Sequence, residues 1–168
     1  VVTGRPAAGN TTLANWLSAR LQIPVVSKDG VRELLFDRLG WGDRAWASRL
    51  GVMAIDLMFY FAELTLKNGR SLILDNAFAP EKTAGQILAL QKKTPFSVVQ
   101  LVCNAPNEVL LNRFIKRAKG RHPGHGDEAA IPQLRRSLAQ NRSPILPVAG
   151  KVIEVKTADF SAVNYDDI

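Results

Sequence analysis

Gly4-Arg5-Pro6-Ala7-Ala8-Gly9-Asn10-Thr11-Thr12 stands between a short β-branched run at Val1–Thr3 and a segment of helical period marked by Leu13, Leu17 and Leu21. A strand, a glycine-punctuated turn and a helix form the context in which G-x-x-x-x-G-K-[ST] cradles phosphate, and this stretch keeps that spacing everywhere except at the lysine, where Asn10 stands. Gly4 and Gly9 allow backbone conformations closed to other residues, so successive N–H groups can turn inward toward an anion. The helix that follows adds the positive end of its dipole. Residues 4–12 are thus the candidate phosphate-binding set, with Thr11 in the hydroxyl position that holds Mg²⁺ beside the β- and γ-phosphates.

A dinucleotide-binding turn is the competing reading, since Gly4 and Gly9 also fit the outer glycines of G-x-G-x-x-G and Asp29 lies 20 residues beyond Gly9. Pro6 decides against it. That motif needs a second glycine there for close approach to the pyrophosphate, and Thr11-Thr12 would have no role in it. Asn10 in turn sets the expected cost: losing one preorganised transition-state donor is worth on the order of 10²–10³ in rate. The main-chain cradle would survive, so binding should weaken and turnover suffer.

Outward from this loop, short apolar runs alternate with helical segments, the pattern of a parallel α/β sheet with crossover helices. Strands are expected at Val1–Thr3, Pro24–Ser27, Ser71–Leu74, Ser97–Val102 and Val152–Val155. Val31, Leu34, Leu35 and Leu39 mark a second helix. Trp46, Leu50, Met53, Leu57, Phe61 and Leu64 mark a long third one ending at Asn68-Gly69, and this aromatic and Met stripe reads as core. Pro80-Glu81 opens a fourth helix, Pro106-Asn107 a fifth running to Gly120, and Pro132 a sixth that ends before Ser143-Pro144. Gly120–Glu128, with three glycines and two histidines, reads as a mobile loop of the kind that carries active-site lids.

Several strand ends carry candidate chemistry. In Ser27-Lys28-Asp29-Gly30-Val31-Arg32 an acid and, three residues on, a cation share one side of a helical turn. Ligands of open parallel sheets bind beyond the carboxyl ends of the strands, so Asp29 can serve as general base to an acceptor hydroxyl; helix capping with an ion pair to Arg32 is the alternative. Asp75 closes the apolar run Ser71–Leu74, where an acid can hold the Mg²⁺ shell; a turn role is the alternative. Arg113, Arg117 and Arg121 recur at intervals of four and line one helix face, able to close over phosphates or to remain a solvated basic surface. His122 and His125 lack the partners of a metal site, and Cys103 reads as packing.

At 168 residues and 46% hydrophobic content the chain suits one domain with one core. Its formal charge of +7 favours phosphate-bearing partners, and residues 113–142 concentrate that charge with eight cations against two carboxylates. One cysteine and no bilayer-length apolar run make a reducing cytoplasm the expected setting and a membrane partner unexpected.

With these residues assembled, the chain resembles the small P-loop kinases of the AAA_33 type, a group similar to polynucleotide 5′-hydroxyl kinases, chloramphenicol phosphotransferases and zeta-toxin kinases. The likeness rests on residues 3–12, Ser-Lys-Asp-x-x-Arg at 27–32, Leu-Ile-Leu-Asp at 72–75, Arg-x-x-x-Arg at 113–117 and Arg-His-Pro-Gly-His at 121–125. It implies a three-layer P-loop NTPase fold over residues 1–168. A five-stranded parallel sheet in the order 2-3-1-4-5 would carry helices on both faces and a lid over about 113–142. It also implies ATP and Mg²⁺ as cofactors, ADP as product, and transfer of the γ-phosphoryl to a hydroxyl of a small molecule or a nucleic-acid 5′ end. Asp29 would be the base, Arg32 would lie near the acceptor, Arg113 and Arg117 would meet transferred phosphate or adenine, and the Val155–Ala158 loop would lie near the base ring. Asn10 is the departure from the family pattern, and it leaves a catalytically inactive nucleotide-binding module as the alternative function.

Overall fold

The computed structural model describes residues 1–165 and 168. Five strands, β1 (Val2–Gly4), β2 (Val25–Ser27), β3 (Ile73–Asp75), β4 (Val99–Asn104) and β5 (Lys151–Lys156), form one sheet in the order β2-β3-β1-β4-β5. Every pairing is parallel, with Val2 opposite both Asp75 and Leu101, and Ser27 opposite Asp75. The expected order is therefore observed. Parallel neighbours require crossovers, and the chain supplies them as α1 (Asn10–Leu21), α2 (Lys28–Leu39), α3 (Arg44–Lys67), α4 (Pro80–Lys93), α5 (Asn107–Ala118) and α6 (Asp127–Ala139). No helix among the described residues is long and apolar enough to cross a membrane.

Side chains alternate across the sheet and build a core on each face. Ile73 and Leu101 join Leu13, Leu17, Leu110 and Phe114 on one side, while Leu74 and Val98 join Met58, Ala62, Ile87 and Leu90 on the other. Strands β1, β3 and β4 run one or two residues further toward their carboxyl ends than their apolar content suggested. The reason is that Gly4, Asp75 and Asn104 still pair in the ladder although none of them adds an apolar side chain to the core.

Three expectations are corrected. Of the stripe from Trp46 to Leu64, Leu50 alone is fully buried: it points inward with Ala54, Met58 and Ala62, whereas Met53, Phe61 and Leu64 remain between 42% and 45% exposed. Two alanines on the inward row let the helix lie close to the sheet, and a reading weighted toward large apolar residues passes over them. The sixth helix opens at Asp127, not at Pro132, which lies inside it. Asp127 and Glu128 in its first turn complement the helix dipole there. The stretch expected to be an open loop is packed: Pro123–His125 form a 3₁₀ turn, and Gly124 is buried so close to Phe36 that an added Cβ would stand 2.6 Å from the ring.

Candidate active site

The chain leaves β1 through a tight turn in which Ala8 N–H donates to the Arg5 carbonyl at 3.0 Å, and α1 then starts at Asn10. Ala7 at φ 65° and Gly9 at φ 95° are left-handed, so the conformation alternates in the way that turns consecutive N–H groups into one concavity. Gly4 has no room for a side chain, since a Cβ would stand 2.5 Å from the Cys103 carbonyl oxygen and 2.6 Å from Asn10 Oδ1. Cys103 is buried beneath the loop, and desolvation pushes its thiol up to about 12. The loop is thus fixed by backbone sterics at its floor.

Residues 6–12 line one wall of a cavity of about 560 Å³ at the carboxyl ends of the strands. Gly4 lies below this surface, and Arg5 is not among the lining residues. Its guanidinium turns toward the start of α5, donating to the Asn107 side chain and, at 3.3 Å, to the Ala105 carbonyl. Arg5 thereby anchors the loop to the neighbouring crossover. Asn10 is only 9% exposed, and its Oδ1 is buried without a hydrogen-bond partner.

Thr11 Oγ1 donates to Asp75 Oδ2 at 2.8 Å, which joins the first turn of α1 to the end of β3. Asp75 is 2% exposed; burial raises its carboxyl pKa above the ordinary value, with hydrogen bonds from Thr11 and Ser27 opposing the rise. A hydroxyl beside a carboxylate is a hard-oxygen donor pair suited to Mg²⁺, which normally completes its octahedron with water and phosphate oxygens. Among the described residues no group of three or more His, Cys, Asp or Glu side chains could hold a metal ion alone. The fit is therefore to an ion that arrives with a polyphosphate.

Across the cavity stand Asp29 and Arg32 on the first turns of α2. Ser27 is the N-cap residue, so Asp29 lies inside the helix, paired with Lys28 at 3.6 Å and with Arg121. Burial pushes the Asp29 carboxyl up, but Arg121, Lys28 and His125 more than offset this and hold it below the ordinary value. It is ionised at neutral pH. Arg32 is not paired with it directly: Nη2 donates to the Ala47 carbonyl at 2.9 Å, the guanidinium lies over Phe36, and Nε is buried without a partner.

Arg113, Arg117 and Arg121 all reach this cavity. Arg113 donates to the Ala158 carbonyl at 2.9 Å and lies over the Phe160 ring, while Arg117 and Arg121 converge on Asp127 at 3.4 and 2.9 Å. Although burial works against the Arg121 charge, Asp29 and Asp127 together hold its pKa above the ordinary value. These arginines thus reach the cavity with protein acceptors already in hand, although Arg117 keeps 38% of its side chain exposed. The two histidines separate: His125 Nε2 lies 2.7 Å from Glu33, and His122 Nε2 lies 3.3 Å from Asp37 while its ring stacks on Phe36.

A second cavity of about 600 Å³ opens beside the first between α2, α3 and the Pro123–His125 turn, sharing Lys28, Arg32 and His125 with it and adding Asp43, Arg44 and Ser48. Sequence reasoning passed over Lys28, Asp127 and Phe160. Phe160, in a short 3₁₀ turn after β5, lies so close to Gly9 that any Cβ there would collide with its ring. No local pattern announces that contact, whereas the Ser27-Lys28-Asp29 junction did carry a usable signal at the end of β2.

A phosphate nest after β1, a hydroxyl on the first helical turn, a strand-end carboxylate on β3 and the 2-3-1-4-5 parallel order define a P-loop domain of kinase architecture. The chain belongs to the AAA domain family AAA_33, which matches residues 1–140. A solved structure from Chloroflexus aurantiacus, assigned provisionally as a kinase, is 34% identical, superposes with a TM-score of 0.85, and is matched over 98% of this chain and 90% of that one. A sugar kinase from Janibacter (TM-score 0.56, 20% identity, 92% of this chain and 82% of that one) shares the fold. So does a gluconokinase from Sinorhizobium meliloti (TM-score 0.51, 13% identity, 94% and 81%). An uncharacterized protein of Mycobacterium tuberculosis is 28% identical over 144 residues, and the alignment covers 82% of this chain but 29% of that protein. The chain therefore spans under a third of the length of the curated relatives it matches.

Proposed function

We propose that this domain binds ATP with Mg²⁺ and transfers the γ-phosphoryl group to a hydroxyl of a small molecule held in the cavity between α2 and α3. The observation that carries this reading is one continuous cavity bounded by the phosphate loop, the Thr11–Asp75 pair, Asp29 and three arginines. Main-chain amides of residues 7–12 and the α1 dipole hold the phosphates, and Thr11 and Asp75 would hold the divalent ion. When bound, that ion would supply charge neutralisation to the phosphates. Asp29 accepts the acceptor's hydroxyl proton while the new P–O bond forms and the β–γ bridging bond breaks, releasing ADP. Arg117 and Arg121, on residues 113–142 acting as a lid, neutralise the equatorial oxygens of the group in flight. Arg113 and Phe160 together offer a cationic and aromatic surface for adenine. A nucleic-acid acceptor is less well supported, because among the described residues no Phe, Tyr or Trp side chain lines the second cavity to stack on a base.

Asn10 favours a second reading, a nucleotide-binding module without turnover. Radiolabelled ATP offered with a panel of hydroxyl compounds, and with a 5′-hydroxyl oligonucleotide, separates the two in the wild type and in Asn10→Lys. Transfer that rises in Asn10→Lys is the result expected of the kinase. Nucleotide binding without transfer in either protein would establish the module, and absence of binding in both would remove the nucleotide site altogether.

A further inference from the structure

The cavity has a vacancy in its chemistry and a residue placed to fill it. Where the P-loop pattern puts an ammonium, Asn10 offers a short neutral amide. Among the described residues lining the cavity, Lys28 carries the sole ammonium, the remaining cations being guanidinium groups. It lines both the phosphate cavity and the adjoining one, at the boundary where a transferring phosphoryl group must pass.

Position and surroundings favour a function over an idle surface lysine. Lys28 follows Ser27, which lies opposite Asp75 in the sheet, and Asp75 bonds Thr11 of the phosphate loop. The chain of contacts thus runs from the loop across β3 to the root of Lys28, over two strand spacings of roughly 4.8 Å each. Its side chain is 19% exposed, and desolvation lowers its pKa from the ordinary value, the nearby Arg32 and Arg121 charges adding to the fall and Asp29 opposing it. Each arginine of the cavity already holds a protein acceptor, Arg32 on Ala47, Arg113 on Ala158, Arg117 on Asp127, and Arg121 on Asp29 and Asp127, although Arg32 Nε and Arg113 Nη1 stay buried without a partner. Lys28 has one ion pair at 3.6 Å, with a carboxylate that Arg121 already engages, so most of its three-donor capacity is available to an incoming anion. A compact ammonium on a flexible stem is also the group best able to follow a phosphoryl as it moves.

We propose that Lys28 binds the γ-phosphate in place of the missing P-loop lysine, reaching it from the β2 side of the cleft instead of from the loop beneath. This rests on the reading of the site as an ATP-dependent kinase, and it reassigns the source of the ammonium within that site. Asn10 then marks a relocated charge rather than a lost one.

Two measurements on the whole chain test it. In the first, ATP carrying an acyl group on its γ-phosphate donates that acyl to an amine within reach, forming an amide and releasing ATP. Peptide mass spectrometry should find the label on Lys28, suppressed by excess ATP; ATP-protected label confined to other lysines would overturn the proposal. The second is a cycle of four proteins, wild type, Lys28→Met, Asn10→Lys and the double variant, titrated with fluorescent ADP and with a non-hydrolysable fluorescent ATP analogue. Lys28→Met should erase the preference for the triphosphate by about tenfold, spare ADP affinity, and lower transfer on the order of 10²-fold, the scale of one lost transition-state donor. In the Asn10→Lys background the same change should cost only a few-fold, because the loop lysine restores the ammonium. Equal losses in both backgrounds, or equal loss of ADP and ATP affinity, refute the role of Lys28 while leaving the kinase reading intact. Failure of all four proteins to bind either nucleotide removes both.

Discussion

Asp75→Asn should separate stability from function in a way that tests the site directly. Asp75 is 2% exposed and accepts hydrogen bonds from Thr11, at 2.8 Å, and from Ser27; the amide oxygen of asparagine can still receive the first, and the Ser27 hydroxyl can turn to accept from the new amide NH2. Burial raises its carboxyl pKa, so the fold disfavours the ionised form, and the neutral amide escapes that penalty. The sign follows from linkage. Below the unfolded value of about 3.9 the carboxyl is protonated in both states and the wild type is at its best relative stability; that advantage is lost as pH climbs through the raised folded value. Asp75→Asn lacks this loss. Its melting temperature should match or exceed the wild type at neutral pH, each regained 1 kcal/mol being worth roughly 2–4 °C in a domain of this size. Function should move the other way, because the carboxylate beside Thr11 is the group that would neutralise the divalent ion. Removing a preorganised electrostatic group of this kind costs about 2.7–4 kcal/mol, or on the order of 10²–10³ in rate. Thermal melts across the pH range, paired with nucleotide titrations with and without Mg²⁺, read both effects. A variant that melts below the wild type at neutral pH, or that keeps Mg²⁺-dependent nucleotide binding, would refute the assignment of Asp75.

Other outcomes follow from close contacts and charge. Gly4→Ala should destabilise the fold by about 1–3 kcal/mol and abolish nucleotide binding, since its Cβ meets the Cys103 carbonyl at 2.5 Å and backbone cannot yield cheaply. Gly120→Ala, which meets nothing within 4 Å, should melt like the wild type; equal melting of both variants would discount the steric floor of the loop. Gly124→Ala drives a methyl against the Phe36 ring, so steady-state kinetics should show a raised KM for the acceptor with that for ATP nearly unchanged, and unchanged acceptor KM would count against the second cavity as the acceptor site. Burial lowers the His125 pKa, Arg121 adding to this while Glu33 and Asp29 oppose it. The folded state therefore prefers neutral His125, and its stabilisation is complete above the unfolded value of about 6.5 and is lost as pH falls from there toward the lowered folded value. Melting of the wild type should drop more steeply over that window than melting of His125→Gln, and parallel slopes would disprove the effect.

The phosphate loop was readable because its signature is local, in glycine spacing, a preceding strand and a following helix, although Cys103 and Phe160, which pack against Gly4 and Gly9, come from far along the chain. The alternation of strands and helices was readable for the same reason, and Asp75 could be picked out as the polar end of an apolar run. What tertiary structure alone decided is which groups face one another. The inward row of α3 depends on how closely Ala54 and Ala62 let that helix approach the sheet, and the exposed stripe of Met53, Phe61 and Leu64 has the same period. Asp29 reads as a helix cap or a base in the sequence, but its partner Arg121 lies 92 residues away and meets it only because Pro123–His125 folds back onto Phe36. Lys28 looks like a surface lysine until the sheet order sets β2 beside β3 and brings its root next to Asp75 and Thr11. Local spacing specifies backbone geometry, whereas the charge environment of a side chain is set by segments the chain brings back from far away.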